Sequence, residues 1–248
     1  MTAVLMDGAA LAGKVRAEVA REAAAWGRVG LATVLVGDDP ASHIYVGLKH
    51  KAATEAGFVP VDHRLPVATT QEELLRLVGE LNCDDSVDGI LVQLPLPDHL
   101  DEAVVLRAIR PVKDVDGVHP INAGFLYLAK PTLVPATPLG CIALLDEHGV
   151  TIERARAVVI GRSDIVGKPV AHLLLQRNAT VTICHSRTDE LARHTLEADI
   201  LIAAVGLAIL ESAFGITSQP VRLMILVGLA VISASTIGRK IWDWKHGE

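Results

Sequence analysis

The chain contains 248 residues, 50% of them hydrophobic, and has a formal net charge of −6 and a pI of about 5.9. This length suffices for one large or two ordinary domains with a substantial core. The acidic balance, with no basic cluster in the first 200 residues, argues against a nucleic-acid-binding surface. The N-terminus lacks a basic region followed by an apolar run, so we expect no signal peptide.

The cysteines are widely separated and do not have the spacing of metal ligands; they are Cys83, Cys141 and Cys184. Their odd number is atypical of a disulfide framework. We therefore expect buried free thiols in a protein of a reducing compartment.

The first half of the chain alternates between helical and extended patterns. Asp39 before Pro40 is a typical helix start, since it combines an N-cap acid with a proline at the first helical position. Thr70 followed by Glu73 indicates a second helix start. The predicted elements are a helix over residues 11–26, a strand over 31–36, a helix over 40–56, a strand over 59–65, a helix over 70–81 and a strand over 87–94. This alternation predicts a parallel sheet covered by helices on both faces.

The stretch from Ala157 to Pro169 has the pattern of a strand, a tight polar turn and a helix start. β-Branched residues lead into Gly161, and a second glycine, Gly167, opens an apolar segment that runs to Leu175. A glycine allows a sharp backbone turn, and the amides at the start of the following helix can then bind a phosphate. The spacing differs from the usual dinucleotide-binding motif, so an ordinary strand–helix turn is the alternative.

Residues 179–184 predict a second buried strand, which completes a unit of strand, helix and strand. Nucleotide-binding folds that prefer NAD place an acidic residue at the end of this strand, where it holds the ribose 2′-hydroxyl. The strand ends here in His185, Ser186 and Arg187, without an acid. Arg187 and Arg162 can instead face a 2′-phosphate, which favours NADP as the cofactor.

Tyr45 and Lys49 lie four residues apart in a predicted helix, so their side chains share one face. A partly desolvated lysine beside a phenol can donate or accept a proton, although a solvated lysine beside a packed tyrosine is the alternative. Gln93 lies at the carboxyl end of a predicted strand, where open α/β sheets bind ligands. Its amide must find hydrogen-bond partners there, and these can be structural or functional.

Between residues 110 and 138 the composition becomes loop-like. Asp114 and Asp116 could bind a metal, but no further acid or histidine at useful spacing completes a ligand set, so we predict no metal site. Asp116 is better suited to accept hydrogen bonds from polar N–H groups of a substrate, with turn capping as the alternative. A predicted helix then leads to His148, and we expect a domain boundary between residues 122 and 138.

Five motifs occur in order along the chain. They are residues 42–49 (SHIYVGLK), 88–97 (DGILVQLPLP), 113–117 (KDVDG), 161–169 (GRSDIVGKP) and 179–186 (ATVTICHS). Through them the chain resembles the bifunctional methylenetetrahydrofolate dehydrogenase/methenyltetrahydrofolate cyclohydrolase family over about residues 4–206. The tail, residues 207–248, lacks the proline- and glycine-rich loop and the last helix of that family.

The resemblance implies a role for the residues of the first three motifs. Lys49 would carry protons during hydrolysis of the methenyl bridge, and Tyr45 would position Lys49 and stack near the folate. Gln93 would hydrogen-bond Lys49, so that these three side chains form the catalytic set. Asp116 would hold the pterin ring. The substrate-binding residues implied in this way are Tyr45, Lys49, Val92, Gln93, Leu94 and Asp116.

The cofactor implied by the resemblance is NADP. The residues that would bind it are Gly161, Arg162, Ser163 and Ser186. The implied fold is α/β, with an N-terminal three-layer catalytic domain over residues 1–121 and a Rossmann-like NADP-binding domain over residues 122–206. The second domain is expected to be incomplete, or to end in an atypical apolar segment over residues 207–248. A cytoplasmic homodimer is implied as well.

The apolar core of the tail, residues 223–237, is shorter than the roughly 20 residues that span a bilayer. Arg222 precedes this core and a basic, aromatic segment follows it, as at a membrane interface. The competing interpretation is a strand and a helix that complete the sheet.

Three functions are therefore compared. The expected one is NADP-dependent oxidation of 5,10-methylenetetrahydrofolate and hydrolysis of the methenyl product to 10-formyltetrahydrofolate, in one-carbon metabolism. The second is a catalytically impaired relative that binds NADP or folate and attaches to a membrane or partner through its tail. The third is an unrelated NADP-dependent oxidoreductase, which does not account for the helix that carries Lys49 or for the KDVDG motif.

Overall fold

The structure, a computed structural model, describes residues 4–204 and 224–226. These residues form two compact units, one of residues 9–136 and one of residues 4–8, 137–204 and 224–226. The division between the two units falls after residue 136. Asn122 remains with the first unit because its buried side chain is hydrogen-bonded to Asp114 and to the carbonyl of Pro111.

The first unit is built on a parallel sheet of three strands in the order β2-β1-β3. β1 is buried along its whole length, as its continuous apolar sequence requires for a central strand. The elements are α1 (Gly8–Trp26), β1 (Gly30–Val36), α2 (Pro40–Glu55), β2 (Val59–Leu65), α3 (Gln71–Cys83), β3 (Gly89–Val92), α4 (Glu102–Ala108), a 3-10 turn (Pro111–Lys113) and α5 (Pro120–Tyr127).

Two hydrophobic cores cover the two faces of this sheet, which confirms the predicted three-layer arrangement. On one face, side chains of α1 and α2 such as Val19 and Ala53 pack with Leu31 and Leu91. On the other face, residues of α3 and α4 surround Val34 and its neighbours. Because side chains alternate along a strand, consecutive residues of β1 and β3 enter opposite cores.

The second unit is a parallel sheet of four strands in the order β5-β4-β6-β7. One face is covered by α6 and α7, whose Leu145 and Leu174 pack with Val159 and Ile202. The elements are α6 (Ala136–Glu147), β4 (Arg156–Ile160), α7 (Gly167–Gln176), β5 (Thr180–Cys184), α8 (Leu191–Leu196), β6 (Ile200–Ala203) and β7 (Met224–Leu226). The Rossmann-like prediction is confirmed by this parallel order around β4.

The apolar tail contributes β7 to the second sheet. Ile225 pairs with Ile202 of β6 in parallel register, so this part of the tail forms a strand at the end of the sheet. The rest of the tail, including the proposed membrane contact, lies outside the described residues. No helix among the described residues is both long and apolar enough to span a bilayer.

Some local predictions need correction. The loop expected between residues 110 and 138 contains α5, which begins at Pro120 because proline is tolerated in the first turn of a helix. Cys83 is exposed at the last position of α3, whereas Cys141 and Cys184 are buried. Burial raises the pKa of the Cys141 thiol to about 12, so this thiol stays protonated.

Candidate active site

Lys49 is positioned by helix α2, whose start is determined by local sequence. The carboxylate of Asp39 accepts a hydrogen bond of 2.7 Å from the amide of Ser42, which caps the helix as the Asp39–Pro40 pair predicts. Lys49 lies in the third turn and is partly buried. Tyr45 lies one helical turn before it, and its side chain is outside the described set.

Gln93 directly follows β3, and its amide nitrogen donates to the carbonyl of Val34 in β1 at 2.8 Å. Its side-chain Oε1 accepts a hydrogen bond of 3.2 Å from the Nζ of Lys49. Its Nε2 donates to the carbonyl of Leu94 at 2.6 Å. The side-chain amide is thus held at both ends, and its oxygen is directed at the lysine.

The two residues that flank Gln93 face the hydrophobic core on the α3 and α4 side of the sheet. Val92 is 2% exposed, and Leu94 is partly buried against the same cluster. Since the Val92 side chain is enclosed by the core, any contact of Val92 with a substrate must use its backbone. The alternation of the strand therefore separates Gln93, which faces α2, from its two neighbours.

Asp116 lies near Lys49, although 67 positions separate them in the sequence (116 − 49 = 67). Burial raises the pKa of the Asp116 carboxyl, and the positive charge of Lys49 opposes that rise. Asp116 as a whole residue is partly exposed, although its carboxyl is enclosed enough for burial to raise its pKa. Lys49, Gln93 and Asp116 therefore form one polar cluster.

The cluster lies where parallel sheets of this type bind ligands. β1 lies in the middle of the sheet. The chain first continues to β2 on one side of β1 and then crosses to β3 on the other side, so its direction of winding reverses at β1. Gln93 is at the carboxyl end of β3, directly beside β1. Open α/β sheets place their ligand crevice at this reversal, outside the carboxyl ends of the strands.

The second unit has its own turn at the carboxyl end of β4. Gly161 has a φ of +113°, and its amide donates to the carbonyl of Cys184 at 2.8 Å. A Cβ on Gly161 would lie 2.8 Å from the carbonyl oxygen of Ala204, and a Cβ on Gly167 would lie 2.2 Å from the carbonyl oxygen of Gly161. Only glycines allow this close approach of strand end, turn and helix α7.

Ser163 holds the start of helix α7 from within the turn. Its Oγ accepts hydrogen bonds from the amides of Val166 at 3.2 Å and Gly167 at 3.3 Å. A serine hydroxyl has two acceptor positions and one donor, so the hydroxyl proton of Ser163 is still available to an anionic ligand. Ser163, which the sequence assigns to cofactor binding, therefore also has a structural role at the start of α7.

Arg162 and Arg187 are exposed at the ends of neighbouring strands, since β4 and β5 pair with Ile160 opposite Cys184. Ser186 is exposed in the same segment as Arg187. Within residues 4–204, neither guanidinium has a hydrogen bond or an ion pair. Two available cations and a hydroxyl at one sheet edge fit a phosphate-bearing nucleotide, and the residues present thus suit NADP.

Comparison with known protein families divides the chain in the same way. The family description "Tetrahydrofolate dehydrogenase/cyclohydrolase, catalytic domain" matches residues 6–116. The description "Tetrahydrofolate dehydrogenase/cyclohydrolase, NAD(P)-binding domain" matches residues 135–239. The second match extends beyond Gly206, into the tail that the motifs alone leave outside the resemblance.

Individual relatives and solved structures agree with these matches. The "Bifunctional protein FolD" of Moorella thermoacetica is 55% identical over 210 residues, which is 83% of this chain and 75% of that protein. The protein of the same name from Phenylobacterium zucineum is 56% identical over 211 residues, 83% of this chain and 71% of that protein.

Among solved structures, the bifunctional FolD enzyme of Campylobacter jejuni has a TM-score of 0.85 at 38% identity and covers 97% of this chain and 96% of its own. The Trypanosoma brucei methylenetetrahydrofolate dehydrogenase-cyclohydrolase, complexed with NADP and an inhibitor, has a TM-score of 0.88 at 32% identity and covers 100% and 99%. The chain belongs to the tetrahydrofolate dehydrogenase/cyclohydrolase family.

Proposed function

We propose that this chain oxidises 5,10-methylenetetrahydrofolate with NADP and hydrolyses the resulting 5,10-methenyltetrahydrofolate to 10-formyltetrahydrofolate, as part of one-carbon metabolism. The observation that carries this proposal is the hydrogen bond from Lys49 to Gln93, beside Asp116, in a chain of this family. The impaired relative with an attaching tail has no support among the described residues.

Hydrolysis requires one group that can move protons. Water adds to the methenyl carbon, forming a C–O bond, and loses one proton. The C–N5 bond then breaks as N5 receives a proton, and the hydroxyl loses its remaining proton to become the formyl carbonyl, so that one proton is released overall. We assign these proton transfers to Lys49. Acid–base catalysis first requires a side chain within hydrogen-bond reach of the reacting atoms, and we propose that Lys49 is this side chain. The Oε1 of Gln93 accepts a hydrogen bond from the Nζ of Lys49 and so fixes the orientation of this nitrogen.

Asp116 is assigned to substrate binding rather than to proton transfer. A carboxylate accepts hydrogen bonds, and the pterin ring presents an amino group and ring N–H groups that can donate them. Tyr45, on the helix that carries Lys49, is assigned to stacking near the folate. The backbones of Val92 and Leu94 on either side of Gln93 complete the proposed substrate contacts.

The oxidation step depends mainly on positioning, because no strong acid or base is needed when a hydride leaves the methylene carbon. NADP, when bound, supplies the hydride acceptor. Gly161 and Ser163 would hold its phosphates at the start of α7, and Arg162 and Ser186 would hold the 2′-phosphate. We also place the protein in the cytoplasm as a homodimer, as the resemblance implies.

The proposal is tested by NADP-dependent oxidation of methylenetetrahydrofolate with the purified 248-residue chain. We expect methenyl product and NADPH to appear together, and the methenyl absorbance to decay as hydrolysis follows. Circular dichroism must show that the sample is folded. A folded sample without turnover would overturn the proposed activity and would support the impaired relative.

Cofactor choice gives a further prediction. In Arg187→Glu, the exchange of charge beside the proposed 2′-phosphate site should lower kcat/KM for NADP by about 10- to 100-fold, the usual range for a charged hydrogen bond. The value for NAD should stay constant or rise, so the NADP/NAD ratio falls.

The matched control is Arg193→Gln, which removes an exposed arginine of α8 that is paired with Glu190. This variant should keep the NADP/NAD ratio of the parent protein. Equal losses with NADP and NAD in Arg187→Glu would remove Arg187 from recognition of the 2′-phosphate.

A further inference from the structure

The KDVDG segment contains three charged residues, of which Lys113 and Asp114 are buried and face inward. The Nζ of Lys113 donates to the carbonyls of Leu81 at 3.0 Å and Asp84 at 2.8 Å, at the C-terminal end of α3. Burial lowers the pKa of this ammonium, and Arg110 lowers it further. Lys113 thus attaches the segment to α3.

Asp114 attaches the segment on its other side. Its Oδ2 accepts hydrogen bonds from the amide of His119 at 2.8 Å and from the Nδ2 of Asn122 at 2.9 Å, at the start of α5. Asp114 is 1% exposed, so both contacts are shielded from water. Burial raises the pKa of Asp114, while these donors lower it.

Asn122 is the centre of this buried network. Its Nδ2 also donates to the carbonyl of Pro111 at 2.8 Å, and its Oδ1 accepts from the Oγ1 of Thr132 at 2.9 Å. Both ends of the side-chain amide are therefore engaged, and Asn122 is 2% exposed. A buried network that is satisfied in this way permits one arrangement of the segment and makes others costly.

The backbone carries this constraint to Asp116. The carbonyl of Asp114 accepts the amide of Gly117 at 3.1 Å, and Asp114 forms a parallel bridge with Ile90 of β3. Asp116 lies inside the turn that the first of these bonds closes. Its carboxyl, unlike that of Asp114, is close enough to Lys49 for that positive charge to oppose the rise that burial causes in its pKa.

We propose that the buried Asp114–Asn122 pair is a positioning device for Asp116 and thereby sets the affinity of the site for folate. The inference rests on the proposed role of Asp116 in substrate binding. A buried charge adds little to stability compared with apolar residues of similar volume, so its contribution here is the defined geometry of the turn.

The pair is tested with Asn122→Asp, assayed with methylenetetrahydrofolate and NADP at several pH values. At neutral pH two carboxylates face each other, and we expect the folate KM to rise about 10-fold, the lower end of the range for a charged hydrogen bond. The kcat and the NADP KM should change little. As the pH falls, one carboxyl of the pair takes up a proton and donates to the other, so the defect relative to the parent should shrink.

Thr132→Val and Thr132→Ser provide a milder pair, which keeps the test valid if Asn122→Asp folds poorly. Valine has a volume similar to that of threonine but lacks the hydroxyl that donates to Asn122. Thr132→Val should therefore raise the folate KM about threefold, below the range for a charged hydrogen bond. Serine keeps the hydroxyl and should restore the parent value.

Asp116→Asn separates the two levels of the proposal. If Asp116→Asn leaves the folate KM unchanged, the proposed binding role of Asp116 is wrong. If that variant raises the folate KM, a defect in Asn122→Asp that is the same at every pH, or a Thr132→Val variant with the parent KM, would overturn the positioning role.

Discussion

Replacing Lys49 with methionine is expected to lower the rate of methenyltetrahydrofolate hydrolysis by about 10²- to 10⁴-fold, the usual contribution of a positioned acid–base group. Methionine keeps an unbranched side chain in the third turn of α2 but has no proton to transfer and cannot donate to Gln93. Hydrolysis is measured as the decay of the methenyl absorbance, at saturating substrate.

NADP binding should remain intact in Lys49→Met. Lys49 belongs to the first unit and the turn from Gly161 to Gly167 to the second, and each unit has its own core. Lys51→Met is the matched control, since Lys51 lies on the same helix with 74% of its side chain exposed. The control should hydrolyse at the parent rate. An unchanged rate in Lys49→Met would remove Lys49 from the mechanism.

Gly167→Ala is expected to weaken NADP binding by about 10- to 100-fold, or about 1.4–2.7 kcal/mol, which lies within the usual overpacking cost of about 1–3 kcal/mol. The added Cβ would lie 2.2 Å from the carbonyl oxygen of Gly161 and 2.9 Å from the amide nitrogen of Arg162. Both are backbone atoms, so the turn itself must move. Titration of NADP, followed by protein fluorescence or calorimetry, measures the loss.

Gly79→Ala is the control for this substitution. Gly79 lies within α3, and a Cβ there meets no atom within 4 Å. Alanine favours a helix interior by about 0.5–1 kcal/mol over glycine, so this variant should bind NADP normally and unfold at slightly higher temperature. Normal NADP affinity in Gly167→Ala would show that the turn is not the nucleotide site.

Local patterns were sufficient to predict most helices and strands of this chain. The predicted strand over residues 59–65 coincides with β2, and the capping box of Thr70 and Glu73 is present at the start of α3. These features depend on neighbouring residues, through side-chain alternation and hydrogen bonds within one turn. Composition is misleading at α5, because a proline that is also typical of loops here begins a helix.

The predicted site was more difficult, because its residues are distant in sequence. Lys49 and Gln93 are 44 positions apart, and only the family resemblance implied their hydrogen bond, which the structure contains. No sequence pattern indicates that Lys113 and Asn122 face inward. A buried lysine or asparagine has no periodic pattern of its own, and its partners here are mostly carbonyl groups, which every residue carries.

Periodicity, capping and glycine placement in the sequence are enough to predict the α/β class, the glycine-containing turn after β4 and the helix that carries Lys49. The family resemblance selects Asp116, but only the tertiary structure shows the physical difference: Asp114 is enclosed and hydrogen-bonded to α5, whereas Asp116 is close enough to Lys49 for that positive charge to oppose the rise that burial causes in its pKa. The two acids look alike in sequence. Their environments differ because burial and partners are set by elements that meet only when the sheet assembles.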